Sequence, residues 1–291
     1  MAVVLSERGS TERKLVPARP TVGARAQFAR RIDRAARSVG QIALFAVFGV
    51  LGVLVGVLVV PTYSLLVRDG ARRVSGIRGV VYHLMRFYVG GMRALRLIEL
   101  EIKGLDRVPV PGSLIVANHP SLIDALILLG HVKGVAVVAK RSLQVNPFTS
   151  GGIRGADYVV NADAPSLVSE CQARIANGET LILFPECTRT ADDGVIRLQR
   201  GAAHIAVRSG CLMVPVTIDF SEPLLTKQSR WWLAPRVRPQ VRVMAHAPID
   251  PSQFLVSDCR VSLAARRLTE HLRELYITEL NVRELERRGS T

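Results

Sequence analysis

From Ile42 to Val60 the sequence reads IALFAVFGVLGVLVGVLVV, nineteen residues that are all apolar or glycine. At about 1.5 Å per residue a helix of that length covers about 28 Å, close to the hydrocarbon thickness of a bilayer. A buried helix of a water-soluble domain is seldom this long without a polar face, so the run is read as membrane-embedded. It lies too far from Met1, and lacks a small-residue cleavage site, to be a cleaved leader. Gly52 and Gly56 form a G-x-x-x-G suited to packing another helix.

The flanks do not fix a topology. Arg25, Arg30, Arg31, Arg34 and Arg37 precede the run, and Arg68, Arg72, Arg73 and Arg78 follow it. The asymmetry that orients a spanning helix is missing, so a full span and a re-entrant helix with both ends cytoplasmic both stand. Ahead of the run, residues 1–40 are polar and Arg-rich; the first half reads as disordered and Arg25–Arg37 as a basic helix on a membrane surface. After it, Gly76–Leu100 reads as a second amphipathic helix, with Arg78, Arg86, Arg93 and Arg96 on one face reaching for headgroups. The chain carries 39 Lys and Arg against 24 Asp and Glu, a formal charge of +15. That surplus suits an anionic partner. With 5% aromatic residues and no zinc-finger or RNA-binding signature, lipid headgroups are the better match and nucleic acid is not expected. Four scattered cysteines with no C-x-x-C fit reduced thiols.

Beyond Gly104 short strand and helix patterns alternate. The candidate strands are Ser113–Ala117, Val135–Ala139, Tyr158–Val160, Thr180–Phe184, Leu212–Thr217 and Gln240–Ala245. The candidate helices are Leu122–Gly130, Pro165–Ala176, Gln199–Ser209 and Asp258–Leu280. The alternation predicts an α/β fold with a mostly parallel central sheet flanked by helices, preceded by the membrane-embedded helical element. The chain divides as a basic segment (1–40), a helical platform (41–100), an α/β domain (101–255) and a C-terminal helix (256–291).

Two polar turns follow apolar strands and project from the same edge of such a sheet, where sites form. In LIVANHPSLIDALILL (Leu114–Leu129) a strand ends at Asn118-His119, and a helix begins with Asp124 in its first turn. Five residues along a helix rotate about 140°, so the two side chains meet only if His119 sits ahead of the helix and leans back. An imidazole so paired can act as a general base; the alternative is an Asn-His turn with Asp124 satisfying the helix dipole. The second turn is Phe184-Pro185-Glu186-Cys187-Thr188-Arg189-Thr190, where an Arg fork, a hydroxyl and a carboxylate are suited to a phosphate or hydroxyl ligand, or to an ordinary loop. The other histidines are isolated and read as structural, Gly151-Gly152 reads as a turn, and no metal cluster or dinucleotide fingerprint is seen.

NHPSLID, then FPECTRT about 65 residues later, then Val214-Pro215-Val216, resembles the glycerolipid acyltransferases typified by 1-acylglycerol-3-phosphate acyltransferases. The resemblance covers roughly Gly104 to Ile249 and takes in Ala139-Lys140 and Gly201-Ala202. It implies acyl transfer from a thioester, acyl carrier protein or coenzyme A, to a lipid hydroxyl, with no bound cofactor and no metal. It implies His119 as base, Asp124 as its orienting partner, and Glu186, Thr188 and Arg189 on the acceptor, with Lys140 and Asn161 completing the substrate side. The implied setting is a cytoplasmic or inner membrane with the active site facing the cytoplasm.

The sequence departs from the family in two places. The family's third motif usually has Gly where Cys187 stands, so neither a positive φ nor a close backbone approach is expected there; with no His near it in sequence, Cys187 is not read as a nucleophile. The second motif ends in an Arg where this chain has Asn161, which puts phosphate recognition in question, with Arg154 or Arg141 as substitutes. The acceptor is therefore read as a lysophospholipid such as 1-acylglycerol 3-phosphate in phospholipid synthesis. A non-phosphorylated polyene- or pigment-type lipid hydroxyl is the alternative, and a non-catalytic lipid-binding scaffold a further one.

Overall fold

The computed structural model describes residues 24–108, 110–161, 164–191, 195–255 and 260–289. The expected disorder near the N-terminus and Cys259 lie outside them. The chain opens on α1 (Ala24–Leu54), which runs through a π-helical turn (Val55–Val59) into α2 (Val60–Leu66). The wide turn lies directly ahead of Pro61, whose missing N–H and ring would otherwise break the ladder. Then α3 (Gly70–Ala94), capped by Asp69 accepting from the Arg72 N–H at 3.1 Å, doubles back against it.

The remaining elements are β1 (Glu99–Lys103), β2 (Leu114–Ala117), α4 (Asp124–Leu129), β3 (Ala136–Lys140), α5 (Arg141–Val145) and α6 (Ser150–Gly155). After these come β4 (Val159–Asn161), α7 (Ala164–Ala176), β5 (Leu181–Leu183), α8 (Gly201–Ser209), β6 (Met213–Phe220), β7 (Gln240–Ala245) and α9 (Val261–Gly289). The strands form one sheet in the order β1-β7-β6-β2-β5-β3-β4. Neighbours are parallel except β6 and β7. Right-handed crossovers between parallel strands put α4 on one face and α7 and α8 on the other. The central strands β2 and β5 are buried along their whole length, as their unbroken LIVA and LIL runs require of strands covered on both faces. From α9, Tyr276 reaches into the core and donates its hydroxyl to Val116 O at 2.7 Å. Strand β1 was not expected: ELEIK is short and charged, as edge strands are.

Two expectations change. Arg78 is not free for headgroups: it is 8% exposed, 2.6 Å from Glu179, and donates to Ala156 O at 2.9 Å. It fastens α3 to the α/β domain. Gly151-Gly152 is helical, inside α6, rather than a turn. The Gly52 and Gly56 pair does pack on another helix: Gly56 meets Gly151 of α6, and Gly52 meets Phe148 just ahead of it. A Cβ at Gly52 would overlap Phe148 O, and one at Gly56 would lie 3.2 Å from Gly151 Cα. Among the described residues one helix, Arg25–Leu66, is long and apolar enough to cross a membrane. Its outward face exposes Val50, Leu54, Val57 and Leu58.

Candidate active site

Strands β2, β5, β3 and β4 run parallel, so the residues that follow or end them share one sheet edge: His119 after β2, the 184–190 turn after β5, Lys140 at the end of β3 and Asn161 at the end of β4. Lys140 and Asn161 are register partners. A cavity of about 180 Å³ opens there, lined by His119, Lys140, Asn161, Phe184, Cys187 and Gln199 among others. A second cavity of about 150 Å³, almost wholly apolar, lies between this edge and the helical platform, with Tyr88, Phe48 and Phe148 in its walls. Ala125, Val137, Ala139 and Leu143 line both.

His119 precedes α4 and leans back over its first turn, as its spacing from Asp124 demands. His119 Nδ1 lies 2.9 Å from Asp124 Oδ2, which also accepts the Ser121 N–H at 2.7 Å. With Nδ1 engaged, Nε2 is left for a ligand in the cavity. Phe184 flanks the imidazole, ring centroids 4.4 Å apart. Asp124 has no exposed surface, and its Oδ1 has no hydrogen-bond partner among the described residues. Burial raises its carboxyl above the usual range, opposed by the His119 bond, the Ser121 N–H and the Arg189 charge. Asn118 closes the strand end: its side chain donates to Ile218 O at 2.8 Å and accepts from the Ile218 N–H at 2.7 Å.

The second turn is built around the first. Glu186 Oε1 accepts the His119 N–H at 2.8 Å and the Thr190 hydroxyl at 2.9 Å, while the Thr190 N–H donates to His119 O at 2.7 Å. Both peptide groups of the histidine are thus pinned by the FPECTRT turn. Burial pushes the Glu186 carboxyl up, and these donors pull it back. Arg189 is turned away from the cavity and donates to Leu225 O and Thr226 O, each at 2.8 Å. Of the two residues expected on the substrate, Glu186 thus engages protein through Oε1 and Arg189 through one Nη. Thr188 is exposed at the turn. Neither bracing role is legible in the residue string, because a backbone N–H needing an acceptor leaves no mark there.

Cys187 corrects a further expectation. Its φ is +56°, so the turn does require the left-handed region that Gly would occupy freely. The turn closes through the Cys187 N–H to Phe184 O at 3.0 Å. Desolvation holds its thiol above the ordinary range against the pull of Lys140, which does not favour a thiolate.

A paired His and Asp thus lie beside an apolar cavity at the carboxyl edge of a parallel sheet, where sites form in such folds. The family model described as Acyltransferase matches residues 99–219. The 1-acyl-sn-glycerol-3-phosphate acyltransferase alpha proteins of Ovis aries and Homo sapiens are 31% and 30% identical over 196 residues. The match covers 61% of this chain, and 67% and 68% of theirs. The 1-acyl-sn-glycerol-3-phosphate acyltransferase of Pseudomonas aeruginosa is 26% identical over 48% of this chain and 56% of its own. The crystal structure of the 1-acyl-sn-glycerophosphate (LPA) acyltransferase PlsC from Thermotoga maritima has the same fold. Its TM-score is 0.62 at 24% identity, covering 84% of this chain and 97% of that one. The protein is an acyltransferase. It belongs to the 1-acyl-sn-glycerol-3-phosphate acyltransferase family.

Proposed function

We propose that this enzyme works at a membrane surface. It moves an acyl chain from a thioester of coenzyme A or acyl carrier protein to the free hydroxyl of 1-acylglycerol 3-phosphate. The observation that carries the reading is the bond between His119 Nδ1 and Asp124, which leaves Nε2 as the proton acceptor at the cavity. In the transfer, Nε2 takes the hydroxyl proton as the oxygen attacks the thioester carbonyl. The tetrahedral adduct collapses, the C–S bond breaks, and the thiolate leaves with the proton from the imidazolium. Ester and free thiol are the products, with no acyl-enzyme, metal or cofactor. Asp124 orients the imidazole and offsets its transient charge, and Glu186 and Arg189 are positioning residues. The acyl chain fits the apolar cavity behind Ala125 and Ala139.

Lys140 supports the phosphate-bearing acceptor. It is the cation among the described residues lining the His119 cavity, beside Asn161, and supplies the charge that Asn161 lacks. Thr188, exposed in the turn next to Cys187, adds a hydroxyl. Kinetics with 1-acylglycerol 3-phosphate and its dephosphorylated counterpart test this. Lys140→Gln should cost the phosphorylated acceptor roughly ten- to a hundredfold in kcat/KM, the worth of a charge-assisted hydrogen bond. Asn161→Arg should improve its use. Equal use of both acceptors by the wild type, unmoved by Lys140→Gln, would assign the enzyme a non-phosphorylated acceptor.

The helix Arg25–Leu66 supports membrane attachment. Because Gly52 and Gly56 rest on Phe148 and Gly151, lipid cannot surround it, which favours a half-immersed helix over a simple span. High-salt or carbonate washing that releases the intact protein would refute this attachment.

A further inference from the structure

The segment between β6 and β7, residues 221–239, leaves the active-site edge of the sheet and crosses to α1. It is bound there at four places. Arg34 Nε donates to Ala234 O at 2.8 Å, Arg37 to Arg236 O at 3.1 Å, the Ala234 N–H to Ser38 Oγ at 3.0 Å, and the Gln41 amide to Trp231 O. Gln41 is the last polar residue before the apolar run. One turn further on, Phe45 meets Trp231 edge to face, centroids 5.5 Å apart. The segment is therefore fixed where α1 passes from arginines to unbroken apolar sequence, which is where a membrane helix passes from water into lipid.

What it presents there is unusual for a water-exposed loop. Trp231 and Trp232 are 48% and 46% exposed, stacked edge to face, and Leu233 and Val237 are exposed beside them. Lys227, Arg230 and Arg236 are exposed along the same segment. Tryptophan favours the headgroup level of a bilayer, where its ring is buried and its N–H stays wet, and neighbouring cations gain from anionic headgroups. We propose, resting on the membrane reading above, that residues 227–237 form a second membrane contact: an interfacial aromatic and cationic anchor for anionic phospholipid, separate from the apolar helix. The near end of the same segment touches the catalytic loop. Leu224 O accepts the Ser121 hydroxyl at 2.7 Å, Leu225 O accepts the Leu122 N–H at 3.2 Å, and Arg189 holds Leu225 and Thr226. The anchor thus sets the height of the His119 cavity over the lipid surface.

The chain has two tryptophans, both in this segment, so selectively excited tryptophan emission from the unmodified protein reports on it alone. Full-length protein is reconstituted into nanodiscs of anionic phospholipid brominated either near the carbonyl end or near the methyl end of the acyl chain. The emission should shift to shorter wavelength on reconstitution. Shallow bromines should quench at least about twofold more than deep ones, as the interfacial preference of tryptophan requires. Lys227→Glu with Arg230→Glu should reduce the shallow quenching while the protein stays with the discs. Protein that remains disc-bound with unquenched, acrylamide-accessible tryptophan overturns the anchor and leaves the membrane reading intact. Protein that does not enter discs overturns both. A blue shift without lipid that grows with protein concentration would mean that a second copy covers the surface, and also overturns the anchor.

Discussion

Replacing Glu186 separates two roles that its position in the turn allows. If the carboxylate braces His119, Glu186→Ala strips the acceptor from a backbone N–H at 2.8 Å and from the Thr190 hydroxyl at 2.9 Å. A hydrogen bond to a charged group is worth about 1.5–3 kcal/mol. Displayed wholly in the barrier, that is a roughly ten- to 150-fold loss of kcat. The acceptor KM should stay within about threefold, because no substrate contact is removed. Glu186→Gln keeps an oxygen where Oε1 sits and gives up only the charge, so it should retain most of the rate. Thr190→Val removes one of the two bonds and spares the histidine, and should cost about 1 kcal/mol of stability with little change in kcat. Steady-state kinetics with kcat and KM resolved, together with thermal melts of each variant, make the comparison. An acceptor KM that rises tenfold in Glu186→Ala at unchanged kcat would show that the carboxylate touches the acceptor, and the bracing argument would be wrong.

Three further outcomes follow from the same geometry. Cys187→Gly should raise stability by about 0.5–1 kcal/mol, since a left-handed residue with a Cβ costs about 1–2 kcal/mol and glycine's added chain entropy returns part of it; a lower melting temperature would contradict this. Asp124→Asn should remove turnover, and its stability relative to wild type should improve as pH rises. The raised folded-state pKa of Asp124 means that its stabilising share is complete below the ordinary value of 3.8 and is lost as pH climbs through the folded value, a loss the amide does not suffer. A difference in unfolding free energy that is flat with pH would count against it. Gly52→Ala should loosen α1 from the domain, seen as new proteolysis between α1 and α6. Gly79→Ala on α3, with nothing near its Cβ, should leave the digest unchanged.

His119 and Asp124 were legible because their pairing depends on local spacing: a strand end, a break at Pro120, and a helix start. The parallel sheet was legible for the same reason, in apolar runs such as LIVA and LIL. What the string did not carry was partner choice at long range. Arg78 fell on an arginine face that suited headgroups, and only the fold brings Glu179, 101 residues on, to cover it. The family resemblance put Glu186 and Arg189 on the substrate, and the string did not show that Glu186 would also take a peptide N–H and the Thr190 hydroxyl, or Arg189 two carbonyls. Strand β1 was missed because edge strands need little hydrophobicity, and the helical Gly151-Gly152 because its reason is the close approach of Gly56.

His119 is held by its peptide group and merely oriented by its ring. Glu186 and Thr190 bind the N–H and C=O of residue 119 whatever side chain stands there. A single substitution can therefore remove the imidazole and leave standing the turn that carries it. In this architecture the reagent and its mount depend on different contacts, so one can fail while the other endures.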